Sequence, residues 1–140
     1  MTDLQKAKEL LTHSNYTCVL QKGEKTYTST QRGVRPLVEW LDSGEDFSSW
    51  SAADKVVGRG AAFLYVLLGV SAVYAHVISR AALEVLTSYN ISVEYGTLVE
   101  NIINRKGDGI CPFEAAVLDV TNADEAYRAI CGKMQEMGIR

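Results

Sequence analysis

Two short stretches of this sequence gather the residue types that acid–base or nucleophilic chemistry needs. The first is Ser51-Ala52-Ala53-Asp54-Lys55, followed by Val56-Val57-Gly58-Arg59-Gly60. Read as the start of a helix over residues 52–68 capped by Ser51, it sets Asp54 in the first turn. Lys55 and Arg59, four residues apart, then share a face. Helix N-termini carry unpaired N–H groups and the positive dipole end, so an anionic ligand is drawn to them. Asp54 would serve as general base or carboxylate nucleophile, and Lys55 or Arg59 would hold a phosphate. The plainer alternative is an acid that simply favours a first helical turn. The chain has no Gly-x-x-x-x-Gly-Lys-Ser/Thr phosphate loop.

The second stretch is Gly107-Asp108-Gly109-Ile110-Cys111-Pro112-Phe113-Glu114. Pro112 suits a first helical position, where its missing N–H has no partner to lose. That sets the Cys111 thiol at a helix N-terminus, an environment that makes thiols reactive, and Cys111 becomes a candidate auxiliary nucleophile. The alternative is a buried core thiol. Glu114 follows three residues on, as in a capping box. A third group is Arg32-Gly33-Val34-Arg35, whose two guanidinium forks could grip a phosphate or carboxylate, or else lie solvated in a loop. Asn104-Arg105 forms a similar polar pair. Arg32, Arg35, Asn104 and Glu114 therefore join Lys55 and Arg59 as candidate ligand contacts. His76 reads as a core residue and His13 as surface. No His or Cys pair has metal-ligand spacing, so neither a metal nor another cofactor is expected.

The elements that must position these residues are legible in outline. An amphipathic helix covers 3–11, with Thr2 or Asp3 as cap. Strands over 16–21 and 25–29 flank a Gly23 turn and read as a hairpin. Pro36 opens a helix that Gly44 ends. After the helix over 52–68, Gly69 is the stop and 72–78 is a strand apolar on both faces. Ser79 caps a helix through Thr87, and 91–95 forms another strand. Short helices over 98–104 and 112–119 and a final helix over 123–137 behind Asn122 complete the chain. The alternation predicts a layered α/β sheet with crossovers in one domain, a helix over 2–13 leading a core over 16–140.

Composition narrows the classes. In 140 residues, 47% are hydrophobic, which excludes disorder, and 14 basic against 17 acidic residues give a net charge of −3. Nucleic acid is an unlikely partner for such a balance. Three scattered cysteines form no disulfide framework, and with no signal-like start they suggest a reducing cytoplasm. The apolar run 61–78 raises the membrane question, but Gly69, Ser71 and His76 divide it into a buried helix, a turn and a strand. No membrane contact is expected.

Four segments together resemble the DUF1893 family. They are Arg32-Gly33-Val34-Arg35-Pro36-Leu37, Ala53-Asp54-Lys55-Val56-Val57-Gly58, Asn104-Arg105 and Cys111-Pro112-Phe113-Glu114-Ala115-Ala116-Val117-Leu118-Asp119. This bacterial and archaeal family is similar in fold to the cytidine-deaminase-like superfamily. The resemblance implies a three-layer α/β/α sandwich around a mixed central sheet. Active deaminases open one core helix with His or Cys, any residue, then Glu, and the next with Pro-Cys-x-x-Cys; zinc binds the His or Cys and the two later Cys. By position, Ala52-Ala53-Asp54 and Ser79-Arg80-Ala81-Ala82 stand at those motifs. All three metal ligands are absent, and Asp54 alone keeps a carboxylate. The resemblance thus implies a deaminase-like protein that binds a nucleotide or nucleotide-containing metabolite without zinc-dependent deamination. The alternative is a non-enzymatic interaction module, a homo-oligomer burying Trp40, Trp50, Tyr65 and Tyr127.

Overall fold

The computed structural model describes residues 1–104 and 106–139. The chain runs α1 (Asp3–His13), β1 (Cys18–Lys22), β2 (Lys25–Ser29), α2 (Arg35–Asp42), β3 (Ser51–Val57), α3 (Arg59–Leu68), β4 (Ala72–Ser79), α4 (Arg80–Ser88), β5 (Ser92–Val99), α5 (Pro112–Ala116) and α6 (Ala123–Glu136). The strands form one open mixed sheet in the order β2-β1-β3-β4-β5. β1 pairs antiparallel with β2 and β3, whereas β3, β4 and β5 run parallel. The sheet is therefore a hairpin grafted onto a βαβαβ unit, and β3 is the strand where the two halves meet.

Local signals explain most boundaries. Thr2 caps α1 reciprocally with Gln5, its hydroxyl accepting from the Gln5 N–H and its own N–H donating to the Gln5 side chain. Ser79 and Asn122 cap α4 and α6 through their side chains. Gly69 closes α3 at φ 82°, a left-handed conformation that a side chain would strain.

Three expectations require correction. Residues 51–57 form a strand, and the helix starts only at Arg59. Alanine and lysine favour helix weakly, and the slot between β1 and β4 overrides that preference. The small side chains suit the slot: Ala52 faces the main core and Ala53 faces α1, both fully buried. Second, residues 98–104 are not helical. β5 runs on to Val99, and Ile103 forms an isolated bridge with Ile110. Third, α5 stops at Ala116.

The helical layers are unequal. α2, α3, α4 and α6 bury the main core on one face of the sheet. On the other face α1 packs alone, on β1, β3 and β4, through Ala7 and Leu11 against Val19, Ala53 and Tyr74. Beyond its reach the sheet is open, with Val56 46% exposed and His76 exposed, so His76 is not a core residue. An irregularity crosses the sheet here. Asp54 pairs with Ala75 and Ala75 with Tyr95, the next pairs are Val56 with Val77 and Val77 with Thr97, and Lys55, His76 and Gly96 have no ladder partner. Core-facing residues change parity across it, from Ala52 to Val57, Ala75 to Ile78 and Val93 to Leu98. The pairing offset is the same on both sides, so the irregularity is matched in all three strands and inverts which side chains face the core beyond it.

The close approach of strands at Gly96 predicts a sharp difference between two glycines. A Cβ at Gly96 would sit 2.8 Å from the His76 carbonyl oxygen, a backbone atom that cannot rotate away. Gly96→Ala should destabilise the fold by about 2 kcal/mol in urea unfolding. A Cβ at Gly132 in α6 meets nothing within 4 Å, so Gly132→Ala should stabilise by up to about 1 kcal/mol.

Candidate functional site

The candidate chemistry gathers where the parallel strands end. β3 passes through Gly58 into α3, and β4 passes through Ser79 into α4, so two helix N-termini open side by side. In α/β sheets ligands bind outside these strand ends. Here the α5 segment lies across the opening. A Cβ at Gly58 would fall 2.0 Å from Oε1 of Glu114 and 3.2 Å from Ile102. At Gly60 it would come within 3.2 Å of Ile130 and 3.5 Å of the Phe113 carbonyl oxygen. Bare backbone at both positions is what lets the segment settle so closely.

Glu114 is the centre of this contact. The Arg59 N–H donates to both of its oxygens, at 2.8 and 2.9 Å. The Gly60 N–H and the Ser79 hydroxyl face the same carboxylate. Burial raises the Glu114 pKa, and those donors together with the Arg59 charge oppose the rise. The Arg59 guanidinium turns away, lying 4.9 Å over the Phe63 ring and donating to the Val117 carbonyl. The expected capping box at Cys111 is thus replaced: Glu114 caps α3, a neighbouring helix, and α5 has no side-chain cap.

A second polar group is buried beneath the opening. Asp54 projects from β3 into the helical layer, where the Tyr65 hydroxyl donates to its Oδ2 at 2.7 Å. The Cys18 thiol, from β1, lies 3.1 Å from the Tyr65 oxygen and 3.9 Å from Asp54 Oδ2. Asp54 is 7% exposed and its partners less. Desolvation pushes the Asp54 pKa up to about 7, against the Tyr65 hydroxyl and the N–H groups of Val56 and Lys55. Burial and the facing carboxylate also push the Cys18 thiol and the Tyr65 phenol well upward.

The other expected contacts spread around this edge. Asp54 is a strand residue and not in a helix's first turn, so it shares no helical face with Lys55 or Arg59. Lys55 points into solvent. Arg32 and Arg35 are exposed beside the start of α2, Arg35 pairing with Glu39 at 3.6 Å. Gly33 between them reaches the opening, because its Cβ position lies 3.9 Å from the Phe113 ring. Asn104 locks its own loop by exchanging hydrogen bonds with Asp108. Arg105 lies outside the described residues. Cys111 stands before α5, its N–H donating to Ile102, and the thiol near Asp54 is Cys18.

Sequence reasoning missed Cys18, Tyr65 and Ser79 as members of these clusters. Cys18 and Tyr65 sit on apolar faces where nothing marks them as polar partners. Placing 51–57 as a strand would have aimed Asp54 at α3 and exposed the need for a hydroxyl there. Among the described residues no three His, Cys, Asp or Glu side chains could hold a metal. α2, α3 and α4 open with Arg35-Pro36-Leu37, Arg59-Gly60-Ala61 and Arg80-Ala81-Ala82, so no His or Cys begins any of them. Two open grooves mark the surface. One, of about 470 Å³, separates α5 from α6, and one of about 510 Å³ separates α1 from the hairpin. Among the described residues no helix is long and apolar enough to cross a membrane.

Comparison with known proteins adds two findings. A family model described as "Domain of unknown function (DUF1893)" matches residues 6–134. The crystal structure of a DUF1893 family protein from Thermotoga maritima superimposes with a TM-score of 0.87 at 25% identity. That match covers 95% of this chain and 91% of the other. No curated protein matches the chain.

The buried carboxyl predicts a pH dependence. The folded pKa of Asp54, near 7, lies above the ordinary 3.8, so the folded state binds the extra proton between those values. Its stabilising effect is complete below pH 4 and is lost as pH rises through 7. Urea unfolding should show Asp54→Asn losing about 4 kcal/mol of that decline relative to wild type. Parallel pH profiles for the two proteins would exclude a buried, proton-bearing Asp54.

Proposed function

The chain belongs to the DUF1893 family, and on that premise we propose that it binds a nucleotide or nucleotide-containing metabolite at the carboxyl edge of its parallel strands, without zinc-dependent deamination. One observation carries the reading. The backbone of Arg59 and Gly60, with the Ser79 hydroxyl, already cradles a carboxylate there, so the edge has the donors an oxyanion requires. Arg32 and Arg35 supply exposed guanidinium groups beside Gly33, which reaches the same opening. A phosphate would meet the α3 N-terminus and those arginines, and Lys55 would add charge. Phe113 offers a ring against which a base could stack.

The nucleotide class follows from reading the fold as cytidine-deaminase-like, a three-layer sandwich whose zinc ligands have no counterpart here. Asp54, poised near neutrality, would act as general acid or base for any reaction in the cavity opened by α5. Cys111 would come to the ligand with that segment, and Asn104 and Glu114 would be its polar rim. A reducing cytoplasm is the setting in which Cys18, Cys111 and Cys131 all remain free thiols.

The second reading, a homo-oligomeric interaction module, is favoured by one observation. β5 is an edge strand of eight residues with an unpaired side and Tyr95 41% exposed. The aromatics expected at such an interface are instead used internally. Trp50 and Tyr65 are buried, Trp40 packs on Phe47 at 6.4 Å, and Tyr127 bonds to Asp42.

Native mass spectrometry of protein purified from cells should show a mass lost on denaturation, in the nucleotide range. Calorimetry with AMP and CMP should then give micromolar binding, and the double variant Arg32→Glu/Arg35→Glu should weaken it by roughly tenfold, about 1.4 kcal/mol. Protein free of ligand that binds no nucleoside or nucleotide, yet sediments as a defined dimer, would replace this reading with the interaction module.

A further inference from the structure

We propose that β5 is a dimer edge: two copies of this chain join β5 to β5, antiparallel, about a two-fold axis between Tyr95 and Gly96, and their sheets become one. This gives the homo-oligomeric reading above its geometry and does not depend on nucleotide binding. β5 is eight residues long, and among the described residues no strand pairs with its outer side. It lacks the usual protections of an edge. It has no Pro, no Lys or Arg, and a single charge, Glu94, which Lys8 already pairs. The opposite edge, β2, is five residues long and opens with Lys25.

The pattern of facing selects a second copy as the partner. Strands paired antiparallel about a two-fold set residues that face the same side opposite one another. In a regular strand facing alternates, so such an axis must pass through a residue. β5 breaks that alternation. Val93 and Leu98 both face the main core, whereas Glu94 faces the α1 side, where Lys8 meets it. Thr97, next to Leu98, faces the α1 side too. An axis between Tyr95 and Gly96 therefore pairs Val93 with the partner's Leu98, Glu94 with the partner's Thr97 and Ser92 with the partner's Val99. Like meets like along the whole strand. An axis through Tyr95 would set Val93 against Thr97, and one through Gly96 would set Glu94 against Leu98, each pair facing opposite sides. An axis through Glu94 would oppose two carboxylates. The central pair accounts for an exposed aromatic. Tyr95 stands level with core-facing Ala75, yet it is 41% exposed. Across the axis it meets the partner's Gly96, which has no side chain to collide with the ring. α4 packs on β5 on this face, so the two copies of α4 would flank the paired tyrosines.

Sedimentation equilibrium and hydrogen exchange, both run from dilute to concentrated protein, test this. Wild type should reach the mass of two chains, and exchange across residues 92–99 should slow roughly tenfold as it does so. Thr97 is exposed, and it lies opposite Glu94 in this register alone. Thr97→Lys should therefore tighten the dimer roughly tenfold, and Thr97→Glu should loosen it by a similar factor. A monomer at every concentration, a dimer whose β5 exchange is unchanged, or one indifferent to both substitutions overturns the proposal. The wild-type exchange series decides the matter even if a variant is unfolded by circular dichroism. AMP calorimetry on wild type keeps the two readings apart. A dimer that answers both Thr97 substitutions but binds no AMP upholds this interface and overturns the nucleotide reading alone.

Discussion

The carboxyl edge of the sheet is organised by one contact, the Glu114 carboxylate against the bare backbone of Gly58-Arg59-Gly60. It satisfies donors that the first turn of α3 cannot pair within its own helix. It also fixes where the chain after β5 must return. The chain between β5 and α5 must bring Glu114 back to β3, and α6 then packs on α3 through Ile130 beside Gly60. A side chain at residue 58, or a shorter acid at 114, would break this contact and leave the last third of the chain anchored through Val117 and α6. α5 also packs against α6, with an open groove along part of their contact.

How far the sequence reveals this varies by residue. Capping residues announced their helices, and Ser79, Asn122 and the Gly23 hairpin turn are found where their chemistry predicts. Segment 51–57 was misleading, because Ala52, Ala53 and Lys55 favour helix and only pairing between β1 and β4 makes them a strand. The signal for a break lay in Val56-Val57-Gly58, a β-branched pair and then a glycine. That error moved Asp54 from a helix start to a sheet interior. The glycine cluster and Glu114 were visible as candidates, but their partnership spans 55 residues of sequence and no local rule connects them.

His76 illustrates the same limit in another way. An isolated histidine in an apolar strand reads as core, and here it is exposed. The cause is the matched irregularity in the three parallel strands. The ladder skips Lys55, His76 and Gly96 together while the register on either side is unchanged, side-chain facing inverts there, and the apolar strand continues past the residues that α1 covers. Alternation predicts facing only while the strand stays regularly pleated. Gly96 is required there by the approach of the His76 backbone, a contact between strands distant in sequence.

The Asp54, Tyr65 and Cys18 cluster bears on what chemistry the edge could support. A carboxyl buried this deeply disfavours its charged form, and the fold opposes that with one phenolic and two backbone donors. Replacing all three residues by apolar ones of similar shape would serve packing as well, so packing alone does not account for the set. Cys18 is not a nucleophile in this setting. Its thiolate would form beside a carboxylate and away from water, and both effects keep the proton on sulfur. Asp54 differs, because a carboxyl poised near pH 7 can give or take a proton at little free-energy difference. The arrangement therefore suits proton transfer by Asp54, aligned by the Tyr65 hydroxyl, and does not suit covalent catalysis through Cys18. Any such transfer needs a substrate to reach β3 from the carboxyl edge, and there the α5 segment and its carboxylate stand in the way.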